Sequence, residues 1–213
     1  MNSIRKHIML GFITAILTFL FLESRSEWHP MHAWNRAVAN VSLLYLMVII
    51  ILGPLTRLFP RLNIILSWRR VLGIWSGITA IAHIIIIFDG WIEWDLLRLF
   101  YIFTPFGGEW VLHPGFALAN IIGIIGLIYY LLLMITSNNK SMKILGRKSW
   151  DFIQKRTNTL YLLVIIHTFY FLFLHNTKNN NWLQIPFIIL VLAIVLLQLI
   201  SFAFTVYKEK KSS

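Results

Sequence analysis

Cysteine is absent from this 213-residue chain, and charged residues are scarce, at 13% of the total. Without a thiol, the chain can form no disulfide, no thiolate nucleophile and no cysteine-ligated metal or iron–sulfur centre. The hydrophobic share is 58%, whereas a soluble domain is about 45–50% apolar and about 25% charged. The excess of apolar surface predicts an integral, multi-pass protein of the cell membrane, with lipid as its solvent.

Nucleotide-binding motifs are also missing from the sequence. It contains neither a dinucleotide-binding glycine pattern nor a phosphate-binding loop. Because hydrophobic segments take up most of the chain, no second, water-soluble domain is left. The sequence therefore predicts a single transmembrane domain over residues 1–213, with no flavin or nicotinamide domain of its own. Any electrons that enter it must come from another molecule.

Six hydrophobic stretches without Lys, Arg, Asp or Glu are each near the length of about 17–25 residues that crosses a bilayer as a helix. Backbone groups in hydrocarbon must pair within their own segment, and the alternating pattern of a membrane barrel is absent. The fold class is therefore predicted to be all-α, a polytopic transmembrane bundle of about six helices. The first stretch lacks a signal-cleavage site and is predicted to stay as a helix. The stretches are 8–22, 38–53, 71–88, 116–135, 157–174 and 185–207.

The net charge of +11 is distributed as in a membrane protein rather than a nucleic-acid-binding one. With the N-terminus inside, 15 of the 19 Lys and Arg fall in cytoplasmic segments, whereas six of the eight acids fall outside. This positive-inside bias predicts that both termini are cytoplasmic. The basic excess then serves topology and contact with anionic membrane lipid, and no nucleic-acid partner is expected. The four outer cations are Arg25, Arg36, Arg98 and Lys178.

Two histidines lie well inside the predicted helices, His83 in the third and His167 in the fifth. Ionisable groups within a membrane mark a functional site by default. They lie about five and about eight residues before the outer ends of their helices, so their depths differ by about 4–5 Å. Two opposed imidazoles at one level can hold a haem iron from both axial sides. Residue type and depth alone leave two alternatives open, a hydrogen bond between helices and a proton relay.

The segments around these histidines resemble a known family. The sequence RRVLG at 69–73, continuing to His83, resembles the RRxLG…H helix of the ferric-reductase-like transmembrane superfamily. Two further matches are GPLTR at 53–57 and LGRK at 145–148, which precedes the helix of His167. The resemblance covers about 38–175 and is greatest to the haem-binding membrane subunits of the extracytoplasmic methionine-sulfoxide reductase system.

This resemblance implies a b-type cytochrome in which His83 and His167 are the axial ligands of the haem iron. Such a subunit would pass electrons outward from a quinol or a separate cytoplasmic flavin reductase. The acceptor outside would be a partner reductase or ferric iron. The chain would then be an oxidoreductase electron-transfer subunit rather than a complete enzyme. The alternative is a proton-coupled membrane transporter that uses His83 and His167 as a relay.

Members of the superfamily commonly have two histidines on each of two helices, about 13 or 14 residues apart along each helix. The second histidine of each helix would stand that far before His83 or His167. Here Gln154 stands 13 residues before His167, and Arg70 and Arg69 stand 13 and 14 residues before His83. Neither Gln nor Arg is a usual haem ligand, so we expect one haem b, toward the outer side. Arg69 and Arg70 are predicted to contact haem propionates, lipid phosphate or a quinone head group.

Four further histidines are predicted to face the outside: His29, His32, His113 and His175. Loop histidines of this kind can bind a metal ion, and ferric iron is the candidate substrate. Such spacing is also common by chance. These residues are therefore candidate metal ligands, separate from the predicted haem pair.

Overall fold

The computed structural model describes residues 2–104, 107–175 and 181–212. Within them, six helices are long and apolar enough to cross a membrane, which confirms the predicted number of spans and the helical bundle. Lys178, one of the predicted outer cations, lies outside the described residues.

The structure consists of eight α-helices in the described ranges, with a few shorter elements between them. Pro60–Trp68 and Leu96–Leu99 are 3-10 segments on either side of the third helix, and Tyr170–Leu174 is a π-helical turn that extends the seventh. A small antiparallel hairpin departs from the all-helical prediction, with β1 (Tyr101–Thr104) paired to β2 (Glu109–Leu112). The helices are α1 (Ser3–Glu23), α2 (Pro30–Leu58), α3 (Arg69–Gly90), α4 (Pro114–Thr136), α5 (Asn139–Leu145), α6 (Arg147–Gln154), α7 (Thr157–Phe169) and α8 (Gln184–Ser212).

Consecutive spans run antiparallel, so their connections gather at two ends of the bundle. At one end, the guanidinium of Arg25 lies over the ring of Trp182, 6.0 Å from its centroid. At the other, Lys6 Nζ donates to Ser67 Oγ at 2.7 Å. We call the first the hairpin end, formed by segments 24–29, 91–104, 107–113 and 181–183. We call the second the basic end, formed by segment 60–68, α5 and α6.

α2 is the central helix of the bundle. In its most apolar 18-residue stretch, 61% of the residues are buried inside the protein, against 11–28% in the corresponding stretches of the other spans. α2 alone is therefore largely enclosed by protein. One face packs through Val41 and Tyr45 into a cluster shared with α1 and α3. The opposite face packs through Leu43 and Met47 into a cluster shared with α7 and α8. The outer helices expose their remaining apolar side chains, as expected of surfaces that face lipid.

α2 begins at Pro30 rather than at residue 38, where the second span was predicted to start. Proline favours the first helical position, because its fixed φ suits a helix and its missing N–H would have no partner there. The earlier start places His32 and Arg36 in the helix, whereas the sequence predicted both to lie in an outer loop. Arg36 is thereby brought against the interior of the bundle.

Candidate cofactor site

A cavity of about 500 Å³ lies between α2, α3, α4 and α7 on the hairpin side of the bundle. Its volume falls within the range of about 300–1,000 Å³ that is typical of cofactor sites. His83 and His167 both line this cavity, so the structure brings the two predicted site residues together. We call it the histidine cavity.

The two histidines lie at equal depth in their helices. His83 is seven residues before Gly90, the end of α3, and His167 is seven residues before Leu174, the end of the π-helical turn. At a rise of about 1.5 Å per residue, each lies about 10 Å from the end of its helix. The agreement is closer than the sequence predicted, because α3 extends two residues beyond the predicted boundary at Phe88 and Leu174 lies seven rather than about eight residues after His167.

Each histidine is oriented by a backbone carbonyl of a neighbouring helix. His83 Nδ1 lies 3.3 Å from the carbonyl oxygen of Asn35 in α2, and His167 Nδ1 lies 2.7 Å from that of Ala119 in α4. Because a carbonyl only accepts, each Nδ1 carries the proton, and each Nε2 keeps its lone pair. Metal-binding histidines commonly have this tautomer and this type of support. The same bonds also join α3 to α2 and α7 to α4, as the helix-pairing alternative predicts.

Gly123 allows α4 to approach the ring of His167 closely. A Cβ atom placed on Gly123 would lie 2.7 Å from both Cε1 and Nδ1 of that ring. Only glycine avoids this clash, since it has no side chain. The ring can therefore reach the carbonyl of Ala119, which lies one helical turn before Gly123.

Three polar residues of the cavity wall each have a buried atom with no hydrogen-bond partner among the described residues. These atoms are Arg25 Nε, Asn35 Oδ1 and Asn40 Nδ2. Buried polar atoms are nearly always paired, and leaving one unpaired costs about 1–3 kcal/mol. Four further atoms of this kind, on Trp75, Trp91, Tyr161 and Ser201, belong to residues that do not line the cavity. The wall would nevertheless fit a haem, because the two histidines can ligate its iron and its two carboxylates would accept from the donors Arg25 Nε and Asn40 Nδ2.

Two arginines that line the histidine cavity have no acidic partner in the described part of the chain. Arg25 is only 3% exposed, and burial lowers the pKa of its guanidinium. Its guanidinium lies 5.4 Å from the ring centroid of Trp28. Arg36 lies over the ring of Phe171 at 5.3 Å. Sequence reasoning placed both arginines outside the membrane and assigned them no role at the site.

A second cavity, of about 630 Å³, lies at the basic end and is called the basic-end cavity below. Arg69, Arg70 and Lys155 line it, and neither arginine lines the histidine cavity. Gln154 also lines it, and its Nε2 donates to Thr136 Oγ1 at 2.9 Å. This amide is therefore engaged in joining α6 to α4. The cationic lining suits a polar or anionic head group rather than a second pair of axial ligands.

The two cavities share a wall at Tyr130 of α4, which lines both of them. Its hydroxyl oxygen lies 3.0 Å from Ser42 Oγ and 3.1 Å from Ser76 Oγ. Ser76 Oγ also donates to the carbonyl oxygen of Ser42 at 2.8 Å. This buried network fixes the wall between α2, α3 and α4.

The histidines of the hairpin end form no metal cluster, because the described residues contain no group of three or more His, Asp and Glu that could hold an ion. The rings of His29 and His32 lie 5.9 Å apart, centroid to centroid. His113 caps α4, since its Nδ1 accepts from the backbone N–H of Phe116 at 3.1 Å. His175 packs against the same phenylalanine ring at 5.3 Å.

The charge of His175 should make the stability of the protein depend on pH. Burial lowers its pKa, and the nearby Arg36, His113 and His32 lower it further. The unfolded chain therefore binds this proton more readily than the folded protein, so stability is lost as the pH falls below about 6.5. We expect His175→Asn to reduce this loss in thermal unfolding between about pH 8 and pH 5. An equal loss in the variant and the native protein would contradict the role of His175.

Comparison with known proteins provides no further assignment: the chain matches no protein-family model and no curated protein. The likeness to the ferric-reductase-like superfamily therefore rests on the three motifs alone.

Proposed function

We propose that this chain is a b-type cytochrome subunit that passes single electrons across the membrane. His83 and His167 would hold the iron of one haem b in the histidine cavity. When bound between two histidines, haem accepts and releases single electrons without binding oxygen. The observation that carries the proposal is the shared cavity: both histidines line it with Nδ1 bonded to a backbone carbonyl, and two buried donors of its wall, Arg25 Nε and Asn40 Nδ2, lack a partner among the described residues.

The basic end faces the cytoplasm in this proposal, and the hairpin end faces outward. The distribution of Lys and Arg along the sequence supports this orientation. The basic-end cavity receives the electron donor, either a quinol or the flavin of a separate reductase, next to Arg69 and Arg70. Tyr130, which lines both cavities, would stand between this donor and the haem. A partner reductase or ferric iron accepts the electrons at the hairpin end.

Helix pairing explains the two histidine hydrogen bonds but not the cavity. A histidine that only joins two helices needs no space beside it, whereas His83 and His167 line a cavity of about 500 Å³. Helix pairing also provides no partner for the buried donors of Arg25 and Asn40. These features favour a bound cofactor over a purely structural role.

A reduced-minus-oxidised absorption spectrum of the purified full chain, with the ratio of haem to protein, tests the proposal. One low-spin b-type haem per chain is the expected result. A chain that stays colourless when haem is supplied during expression would contradict the proposal and favour the proton relay. Two haems per chain would contradict the expectation of a single haem that rests on Gln154, Arg69 and Arg70.

The donor site can be tested by filling the basic-end cavity. Gly73 of α3 lines this cavity, and a Cβ placed there would meet only Ile49 Cδ1, at 3.9 Å. We expect Gly73→Leu to keep its haem, because the histidine cavity is untouched. Its reduction by a quinol or by reduced flavin in proteoliposomes should be slower by about tenfold or more, because the donor is displaced.

Gly53→Leu is the matched control for this variant. Gly53 lies in α2, lines neither cavity, and has no atom within 4 Å of an added Cβ. Its reduction rate should equal that of the native protein. If Gly73→Leu is also reduced at the native rate by both donors, the donor does not bind in the basic-end cavity.

A further inference from the structure

The charges at the hairpin end are unevenly neutralised. Arg98 pairs with Glu93 at 2.7 Å and with Asp95 at 3.6 Å, so its cation is balanced. Arg25 and Arg36 have no such pair among the residues that the structure describes. A buried cation without a counter-charge is strongly unfavourable. Neither guanidinium therefore has a counter-charge among these residues, and an anion bound in the histidine cavity would supply one.

The surroundings of Arg25 position its guanidinium but leave it incompletely bonded. Trp28 and Trp182 lie 5.4 and 6.0 Å from it, and its Nη1 has one long hydrogen bond, of 3.5 Å, to the carbonyl oxygen of Phe21. Its Nε is buried and has no partner. Aromatic rings stabilise a cation but cannot accept all of its N–H groups.

Arg36 provides a second positive charge beside the first. Arg25 and Arg36 both line the histidine cavity, so its wall has two positive charges. Asn40 adds a buried amide nitrogen without a partner to the same wall. Two guanidiniums and an unpaired amide donor in one wall favour an anion with several acceptor oxygens. Arginine binds carboxylates well because its planar N–H groups match the two oxygens.

We propose that Arg25 and Arg36 form the carboxylate-binding part of the histidine cavity and hold the two propionate groups of the haem. This inference rests on the proposed function, since it requires that haem binds. The resemblance to the ferric-reductase-like superfamily does not imply it, because both arginines precede residue 38, where that resemblance begins. It also differs from the sequence prediction, which gave Arg69 and Arg70 as propionate contacts, although these two residues line the basic-end cavity.

A double-mutant cycle between the arginines and the carboxylates tests the inference. Full-length apoprotein in detergent is titrated with haem and with haem dimethyl ester, in which both carboxylates are esterified. The native protein should bind haem about tenfold or more tightly than the ester, since charged hydrogen bonds are lost. Arg25→Gln and Arg36→Gln should each reduce this preference, and the double variant should abolish it. The haem midpoint potential should fall in the same variants, because a nearby positive charge is removed.

Arg98→Gln is the matched control, since it removes a hairpin-end cation that does not line the cavity. It should keep the full preference for haem over its ester. Where a glutamine variant does not fold, Arg36→Lys retains the charge without the planar fork and should show an intermediate preference.

The possible outcomes separate this inference from the proposed function. If the native protein binds haem and ester equally tightly, both with a low-spin spectrum, the inference is wrong and the cytochrome proposal stands. If folded arginine variants retain the full preference, the inference is also wrong. If the native protein binds neither compound, the cytochrome proposal itself fails.

Discussion

Replacing His83 or His167 by alanine is expected to lower the haem bound to the purified protein by more than about tenfold. Loss of a residue that merely orients a metal ligand costs about 10–100-fold in affinity, and loss of the ligand itself should cost at least as much. Any haem that remains should become high-spin, because one axial position is vacant. The measurement is the absorption spectrum together with the ratio of haem to protein.

His29→Ala is the control for both variants. His29 is exposed at the hairpin end and does not line the histidine cavity, so its removal should leave haem content and spectrum unchanged. Helix pairing predicts a different result for His83→Ala and His167→Ala. Each would lose about 1 kcal/mol or less of stability, with no spectral change. Full retention of low-spin haem in either variant would therefore exclude that histidine as an axial ligand.

The spans and the histidine pair could be predicted from sequence because both depend on local signals. A membrane helix needs an unbroken apolar run, and the depth of a histidine follows from its distance to the end of that run. His83 and His167 could therefore be assigned to one level without knowledge of the packing. The boundary of α2 could not be placed by hydropathy, because Arg36, His32 and Asn35 interrupt the apolar run. The signal that marks its start is Pro30.

The polar lining of the cavities could not be predicted, because it depends on contacts between distant segments. Arg25 follows α1 in a short connection, and nothing in its sequence neighbourhood indicates that it is 3% exposed. It is buried because Trp182, from the segment before α8, packs over it. Likewise, Arg69 and Arg70 stand next to the motif that carries His83, yet the length of α3 places them at the opposite end of the bundle.

The close approach of α4 to α7 gives Gly123 a role that sequence could not reveal. An added Cβ would lie 2.7 Å from the His167 ring, a distance at which the ring must move. The Nδ1 of this ring also forms a 2.7 Å hydrogen bond to the carbonyl oxygen of Ala119. Movement of the ring would break this bond, and the tautomer and direction of the ligand would no longer be fixed.

Gly123→Ala is therefore expected to lower haem affinity by about tenfold or more, although it adds only one methyl group and removes no ligand. Gly126→Ala is the matched control, because Gly126 lies in the same helix and also lines the histidine cavity. A Cβ on Gly126 would meet its neighbours at 3.9 Å or more, which is ordinary contact. Haem titration of the two variants, with thermal unfolding of each apoprotein, provides the measurement. Native haem affinity in Gly123→Ala would mean that His167 can ligate haem without the support of Ala119, and that the position of its ring does not depend on α4.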